Sequence, residues 1–284
     1  MLERKRLVPE PAVGLNGDTL PVTFIYAIHM LAKMTVKKFI EECSSDTSKA
    51  DNVGLLVSSI FAMPEFQYRG ESLYTILAAK ICHDCPVLYG VRGSEKTEEG
   101  RTRLGWRRYK EGGWVDVQTH NQRMTGLAAG FSSIALRDYS RSTTMKTPCP
   151  PDSWWNTVAA VVDTPVEEAS DTQLTVLKYV IDGWEDKIFC LWGDLGLLQL
   201  STSIRLFPGQ MTSRSGAVLA IDGMWETLVK KWGFPTVGPP VGSAPPYSGM
   251  GHGFDSRSPV WGPTSPMHGL VVVNELSAMK TPTF

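Results

Sequence analysis

Between Phe24 and Cys43 the apolar side chains recur at Phe24, Ile25, Ile28, Leu31, Ala32, Val36, Phe39 and Ile40. That spacing is close to the 3.6-residue period of a helix with one buried stripe. Such a stripe must be covered by other elements, and the rest of the chain supplies helices to do it. Val53 to Met63 is apolar nearly all round and reads as a buried helix stopped by Pro64. Glu71 to His83 repeats the helical pattern with Leu73, Tyr74, Leu77 and Ile81 inward. Met124, Leu127, Ala128, Phe131, Ile134 and Ala135 mark another helix, whose small residues permit close approach of a neighbour. Pro148, Pro150 and Pro151 forbid helix, and Asp152 or Ser153 can cap the one that begins at Trp154. A second cap is expected at Asp171, with helices over 172–184, 187–204 and 213–232. The pattern predicts an all-α fold, a HEAT-repeat-like (MIF4G-like) helical array. No repeat of fixed period is visible, so a less regular bundle fits the same pattern.

The composition changes sharply after about residue 234. From Pro235 to Pro266 the chain is rich in Pro, Gly and Ser, with too few aliphatic residues to offset the entropy of ordering it. Three regions are therefore expected: an extended N-terminal segment over 1–20, an all-α domain over 21–234, and a disordered Pro/Gly-rich tail over 235–284. Near the end, VVVNELSAM could add a strand or helix on docking.

The charge balance sets limits on partners. With 28 basic against 29 acidic residues the formal net charge is −1, so the chain as a whole is not drawn to DNA or to an anionic membrane surface. Any anion site must be local. No run approaches the roughly twenty apolar residues needed to span a bilayer, and MLERKRLVPE lacks an apolar secretory core. A soluble intracellular protein is expected. Five cysteines suit a reducing compartment. Cys82 and Cys85 with His83 between them could suggest metal or redox chemistry, but Cys43, Cys149 and Cys190 stand singly, and free thiols are the expected state. Phosphate-loop, serine-hydrolase and zincin motifs are absent. Glu98 with Glu99, Glu167 with Glu168, and Asp51 could serve as acid and base, but read better as solvated caps. The expectation is a protein that is not an enzyme.

The stretch from Thr97 to Gly126 is the most particular in the chain. Glu98 and Glu99 precede Arg101, Arg103, Arg107, Arg108 and Lys110, with Trp106 and Trp114 among them. A loop carrying two indoles lowers its free energy by covering them, so it should fold back on the domain and hold its arginines in place. The same composition also fits a plain polar connection pinned by two tryptophans.

TEEGR-x-R-x-GW, a second tryptophan, then RMTG opening a helix resembles the C-terminal domain of the GLFG-lethal (Gle) mRNA-export mediator family of the nuclear pore. YAIHMLAKMTVKKFIEEC, VGLLVSSIFAMPEFQ, LYTILAAKICHDCPVLYG and PDSWWNTVAAVVDTP are similar to its other helices in order and spacing. The resemblance runs from about Val13 to Lys231 and is strongest from Tyr89 to Arg137. It implies a regulator that binds a DEAD-box RNA helicase and stimulates its ATPase at the cytoplasmic face of the nuclear pore, with inositol hexakisphosphate as co-activator. Nucleoporins, including an FG-repeat protein, and translation factors are the further partners implied.

By motif position, Lys33, Lys37 and Lys38 of the first helix, Lys80 and His83 of the third, and Arg123 fall where that family places its polyphosphate pocket. A ligand with six phosphates needs donors from several helices, because each charge-assisted bond is strong only where the others hold the ligand in register. Two positions depart from the family pattern. Where fungal members have a basic pair just before Cys-Pro, this chain has His83 and Asp84, and a late family lysine is missing from Trp192 to Leu198. The alternative function is a HEAT-like scaffold that binds RNA or translation factors directly through Arg101 to Lys110, which strong salt dependence would reveal.

Overall fold

The computed structural model describes residues 20–211 and 214–232. The expected tail, and the N-terminal segment apart from Leu20, lie outside those residues. Helix α1 (Val22–Glu41) begins directly after Pro21, whose fixed φ suits a helix entry. Helix α2 (Lys49–Ala62) ends where Pro64 forbids its continuation. Two two-residue strands, β1 (Gln67–Tyr68) and β2 (Glu71–Ser72), pair antiparallel across the turn Arg69-Gly70. That hairpin takes up the residues expected to open the third helix, so α3 (Tyr74–Asp84) starts three residues late.

The arginine stretch is not all loop. It holds α4 (Glu98–Arg103), capped by Thr97, whose side chain accepts from the Gly100 N–H at 3.0 Å. Helix α5 (Val117–Ala135) is capped by Asp116, which accepts from the Thr119 N–H at 2.8 Å. Then follow α6 (Asp152–Val162), α7 (Asp171–Ile181), α8 (Glu185–Trp192), α9 (Asp194–Ser201), a π-helical turn (Thr202–Leu206), α10 (Phe207–Gly209) and α11 (Gly216–Trp232).

Helix α5 is the axis of the domain. Every residue from 123 to 136 is buried, because α1, α2 and α7 pack around it. Its small residues make this geometry possible. At Gly126 the carbonyl oxygen of Phe39 sits where a Cβ would need to be, and at Gly130 the Phe39 ring does the same, so the ring lies in a notch cut into α5. Phe39, Phe61, Leu77, Ile81, Phe131 and Trp154 fill the core around that contact. The Trp154 indole N–H donates to the Val180 carbonyl at 2.8 Å, which fixes α6 to α7.

Two expectations are corrected by local chemistry. The single helix expected over 187–204 is two, α8 and α9, because Gly193 has φ of +54° and reverses the chain there. The cap expected at Asp171 is one residue earlier. Ser170 accepts from the Gln173 N–H at 3.3 Å, and the Ser170 N–H donates to Gln173 Oε1 at 3.0 Å, forming a reciprocal capping box. Ser170→Ala should cost about 1 kcal/mol, read as a lower urea midpoint with unchanged slope. An unchanged midpoint would remove the cap from the account.

Candidate functional site

Helices α1 and α3 pack side by side, and a hollow of about 570 Å³ opens along their seam. Helix α1 contributes His29, Lys33 and Val36, spaced one turn apart; α3 contributes Thr75, Ile76, Ala79, Lys80, His83 and Asp84. The floor is apolar, formed by Val36, Ile76 and Ala79, while ammonium and imidazole groups stand around it. Lys80 Nζ lies 3.1 Å from His29 Nε2. An ammonium can only donate, so the ring nitrogen is the acceptor and the contact ties the two helices together.

The structure brings Lys33, Lys80 and His83 to this hollow and places the other expected residues elsewhere. Lys37 and Lys38 lie on the exposed face of α1, one pairing with Glu41 at 3.7 Å and the other bonded to Glu42, each one turn on. The bond from Glu42 is what raises the Lys38 pKa above its ordinary value. Arg123 belongs to the second turn of α5 rather than its first, and its side chain is only 7% exposed. Its guanidinium donates to the Gly105 carbonyl at 3.2 Å, the Asp84 carbonyl at 3.4 Å and Asp84 Oδ1 at 3.3 Å. Burial, and then the nearby Arg107, push its pKa down, while Asp84 opposes them.

Asp84 is the link between the hollow and the interior. Its side chain is 12% exposed and also accepts from Arg107, whose side chain is 52% exposed. One carboxylate oxygen therefore serves a buried and a half-exposed guanidinium. His29, Asp84 and Arg107 were absent from the expected site. His29 had a signal, since it stands four residues before Lys33. The arginine contacts had none, because they span 23 and 39 residues of sequence.

The arginine stretch does fold back as its tryptophans require. Trp106 is buried and stacks on His120 at 4.0 Å between ring centroids. Arg101 donates through Nε to the Glu95 carbonyl at 2.7 Å and lies 5.2 Å from the Trp106 ring centroid and 5.8 Å from that of Trp114. Arg108 sits 4.4 Å over Trp114 and pairs with Glu98 at 3.0 Å. Beneath them, Thr172 Oγ1 donates to Glu95 Oε1 at 2.5 Å and accepts from the Trp106 indole N–H at 3.3 Å. With its single proton given to Glu95, the hydroxyl must also accept from His120 Nε2 at 2.9 Å. That assigns the ring proton to Nε2 and leaves Nδ1 as a buried acceptor without a partner.

Burial, with Arg123 second, lowers the His120 pKa from 6.5 to about 3. A ring that is neutral when folded and protonated when unfolded gives stability that is complete above pH 6.5 and is lost as pH falls toward 3. The expected loss over the first pH unit below 6.5 is about 1 kcal/mol, and His120→Gln should flatten that slope in urea titrations at pH 6.5 and 5.5. An unaltered slope would contradict the assignment.

The remaining candidates of the sequence are held in structural roles. Asp51 accepts from Arg137 at 2.5 Å and Lys187 at 2.6 Å, joining the start of α2 to α8 and to the end of α5. Cys82 and Cys85 are free thiols, and burial pushes the Cys85 thiol up to about 12, far from a reactive thiolate. Among the described residues no helix is long and apolar enough to cross a membrane.

Comparison with known proteins agrees with this architecture. Residues 5–200 match the family described as GLE1-like protein. The chain is 39% identical over 239 residues to the mRNA export factor GLE1 of Chaetomium thermophilum, covering 82% of this chain and 45% of that protein. It is 25% identical over 201 residues to the mRNA export factor GLE1 of Saccharomyces cerevisiae, covering 70% of this chain and 35% of that one. The chain thus spans less than half the length of these relatives. A chain of the solved S. cerevisiae complex, in which a point variant of the Dbp5 C-terminal domain is bound to Gle1 and IP6, superimposes with a TM-score of 0.65. That likeness has 21% identity over 72% of this chain and 69% of the solved one, and shows the shared helical fold. From the helix order, the arginine stretch with its tryptophans, and these matches, the chain belongs to the GLE1-like protein family.

Proposed function

We propose that this chain is a non-catalytic mRNA export factor that binds a DEAD-box RNA helicase and raises its ATPase turnover, with inositol hexakisphosphate as co-activator. The observation that carries the reading is the hollow between α1 and α3. Lys33, Lys80, His29 and His83 present nitrogen donors from two rigid helices over an apolar floor. Lys37 and Lys38 stand farther along the same helix and reach the ligand by leaving Glu41 and Glu42. Exposed pairs of that kind are worth only about 0.3–0.5 kcal/mol each, so the exchange costs little. Arg123 acts from beneath, by holding Asp84 in place. Membership of the family and the fold shared with the solved complex support the choice of ligand and partner.

A bound polyphosphate supplies a dense negative surface at the mouth of the hollow, which a basic face of a helicase lobe can meet. The chain changes the helicase equilibrium only by binding one state more tightly, here the separated two-lobe state that releases RNA. Action at the cytoplasmic face of the nuclear pore, beside nucleoporins, belongs to the same reading. Direct RNA binding through the arginine stretch is disfavoured, because Arg101, Arg107 and Arg108 are committed to Glu95, Asp84, Glu98 and the two indoles. Calorimetric titration with inositol hexakisphosphate at low salt tests the cofactor, and absence of heat would remove it.

A further inference from the structure

The base of the hollow already contains an anion. Asp84 borders the cavity, and its Oδ1 takes hydrogen bonds from Arg107 and Arg123, the two guanidinium groups that approach the cavity from the side of α5 and the arginine stretch. An oxygen atom between two guanidinium groups is what a phosphate would offer at the same place. Its presence has two effects on a polyanionic ligand. It occupies donors of Arg107 and Arg123 that would otherwise reach the ligand, and it sets a like charge, screened by little solvent, next to the nearest phosphate.

We propose that Asp84 is a resident counter-anion: it neutralises the arginine end of the hollow and sets how strongly, and how selectively, the cavity takes up polyphosphates. The inference rests on the reading of the hollow as a polyphosphate site and adds the residue that tunes it. With Asp84 in place the ligand is held by the ring of His29, Lys33, Lys80 and His83 alone, and Arg107 and Arg123 act as supports for the carboxylate. The site thereby favours ligands whose phosphates reach the α1 and α3 cations, and it gives up the deepest contact. Loss of that carboxylate opens a further subsite made by Arg107.

Arg123 keeps its stability in this arrangement through partners that do not depend on the charge of residue 84. The main-chain carbonyls of Gly105 and Asp84 accept from it at 3.2 and 3.4 Å. An amide oxygen at position 84 can still accept from both guanidinium groups. Asp84→Asn is therefore the variant that removes the charge while keeping the shape.

The test is titration calorimetry with inositol hexakisphosphate on the parent chain and on Asp84→Asn, with circular dichroism and thermal melting to follow the fold. Removing one like charge a few ångströms from the ligand should tighten binding about tenfold or more. A parent that binds and a variant that binds that much tighter support the proposal. A silent parent with a binding variant also supports it, and removes the polyphosphate cofactor for the native chain. A folded Asp84→Asn that binds no tighter than a binding parent overturns the counter-anion while leaving the cofactor reading standing. Two silent proteins overturn both. If Asp84→Asn does not fold, Arg123→Met and Arg123→Met/Asp84→Asn replace the pair. The buried cation is then absent from both arms, and the double variant must bind tighter than the single one for the proposal to stand.

Discussion

Gly126→Ala is expected to cost about 3 kcal/mol or more, the upper part of the range for overpacking a core. The added Cβ would stand 2.0 Å from the Phe39 carbonyl oxygen and 3.1 Å from the Ser44 amide nitrogen. Both are backbone atoms, so no side chain can turn aside to make room. Relief requires α1 to move away from α5, and that movement withdraws Phe39 from the notch beside Gly130. A loss of this size is a large share of the roughly 5–15 kcal/mol by which a domain is stable. The hollow should fail with the core, since His29 and Lys33 ride on α1. Urea denaturation checks the result, and a midpoint close to that of the parent would mean the helices are not so closely apposed.

The second large effect concerns the ligand. Lys33→Ala/Lys80→Ala removes one ammonium from each wall of the hollow. A hydrogen bond to a charged group contributes about 1.5–3 kcal/mol, so the pair should lower inositol hexakisphosphate affinity about a hundredfold or more. Thermal stability should change little, because both side chains project from helix surfaces. Lys49→Ala is the matching control: its ammonium is exposed and lies 4.0 Å from Asp46 at the start of α2, away from the seam. Binding by the double variant within a few fold of the parent would place the polyphosphate somewhere other than this hollow.

The sequence was most readable where packing follows local periodicity. The stripe on α1, the buried α2 stopped before Pro64, and the restart after Pro151 all appear in the structure within a few residues of expectation. Legibility failed where one residue overrode the period. Gly193 divides what reads as one helix, and the hairpin at Arg69-Gly70 takes residues from the start of α3. Helix α4 was read as loop because its six residues carry no apolar stripe, and its signal was the capping threonine at its start. The central position of α5 was only half visible, since its glycines, alanines and serines report close approach without saying from how many sides.

The site divides in the same way. Lys33 and Lys80 could be placed on helix faces from spacing and the family resemblance, and they do share one cavity. Asp84 with Arg107 and Arg123 could not be foreseen from spacing, because three separate elements bring those residues together. His120 looked like one of several scattered histidines. Its meaning comes from Thr172 and Trp106, 52 residues ahead and 14 behind in the chain, which determine its proton and keep it neutral.

The most direct test of the account is the steady-state RNA-dependent ATPase rate of a Dbp5-type DEAD-box helicase, measured with this chain in the presence and absence of inositol hexakisphosphate. The account predicts that the chain raises the rate, that the polyphosphate raises it further, and that Lys33→Ala/Lys80→Ala abolishes the second increment alone. A helicase rate indifferent to the chain under all of these conditions would contradict it.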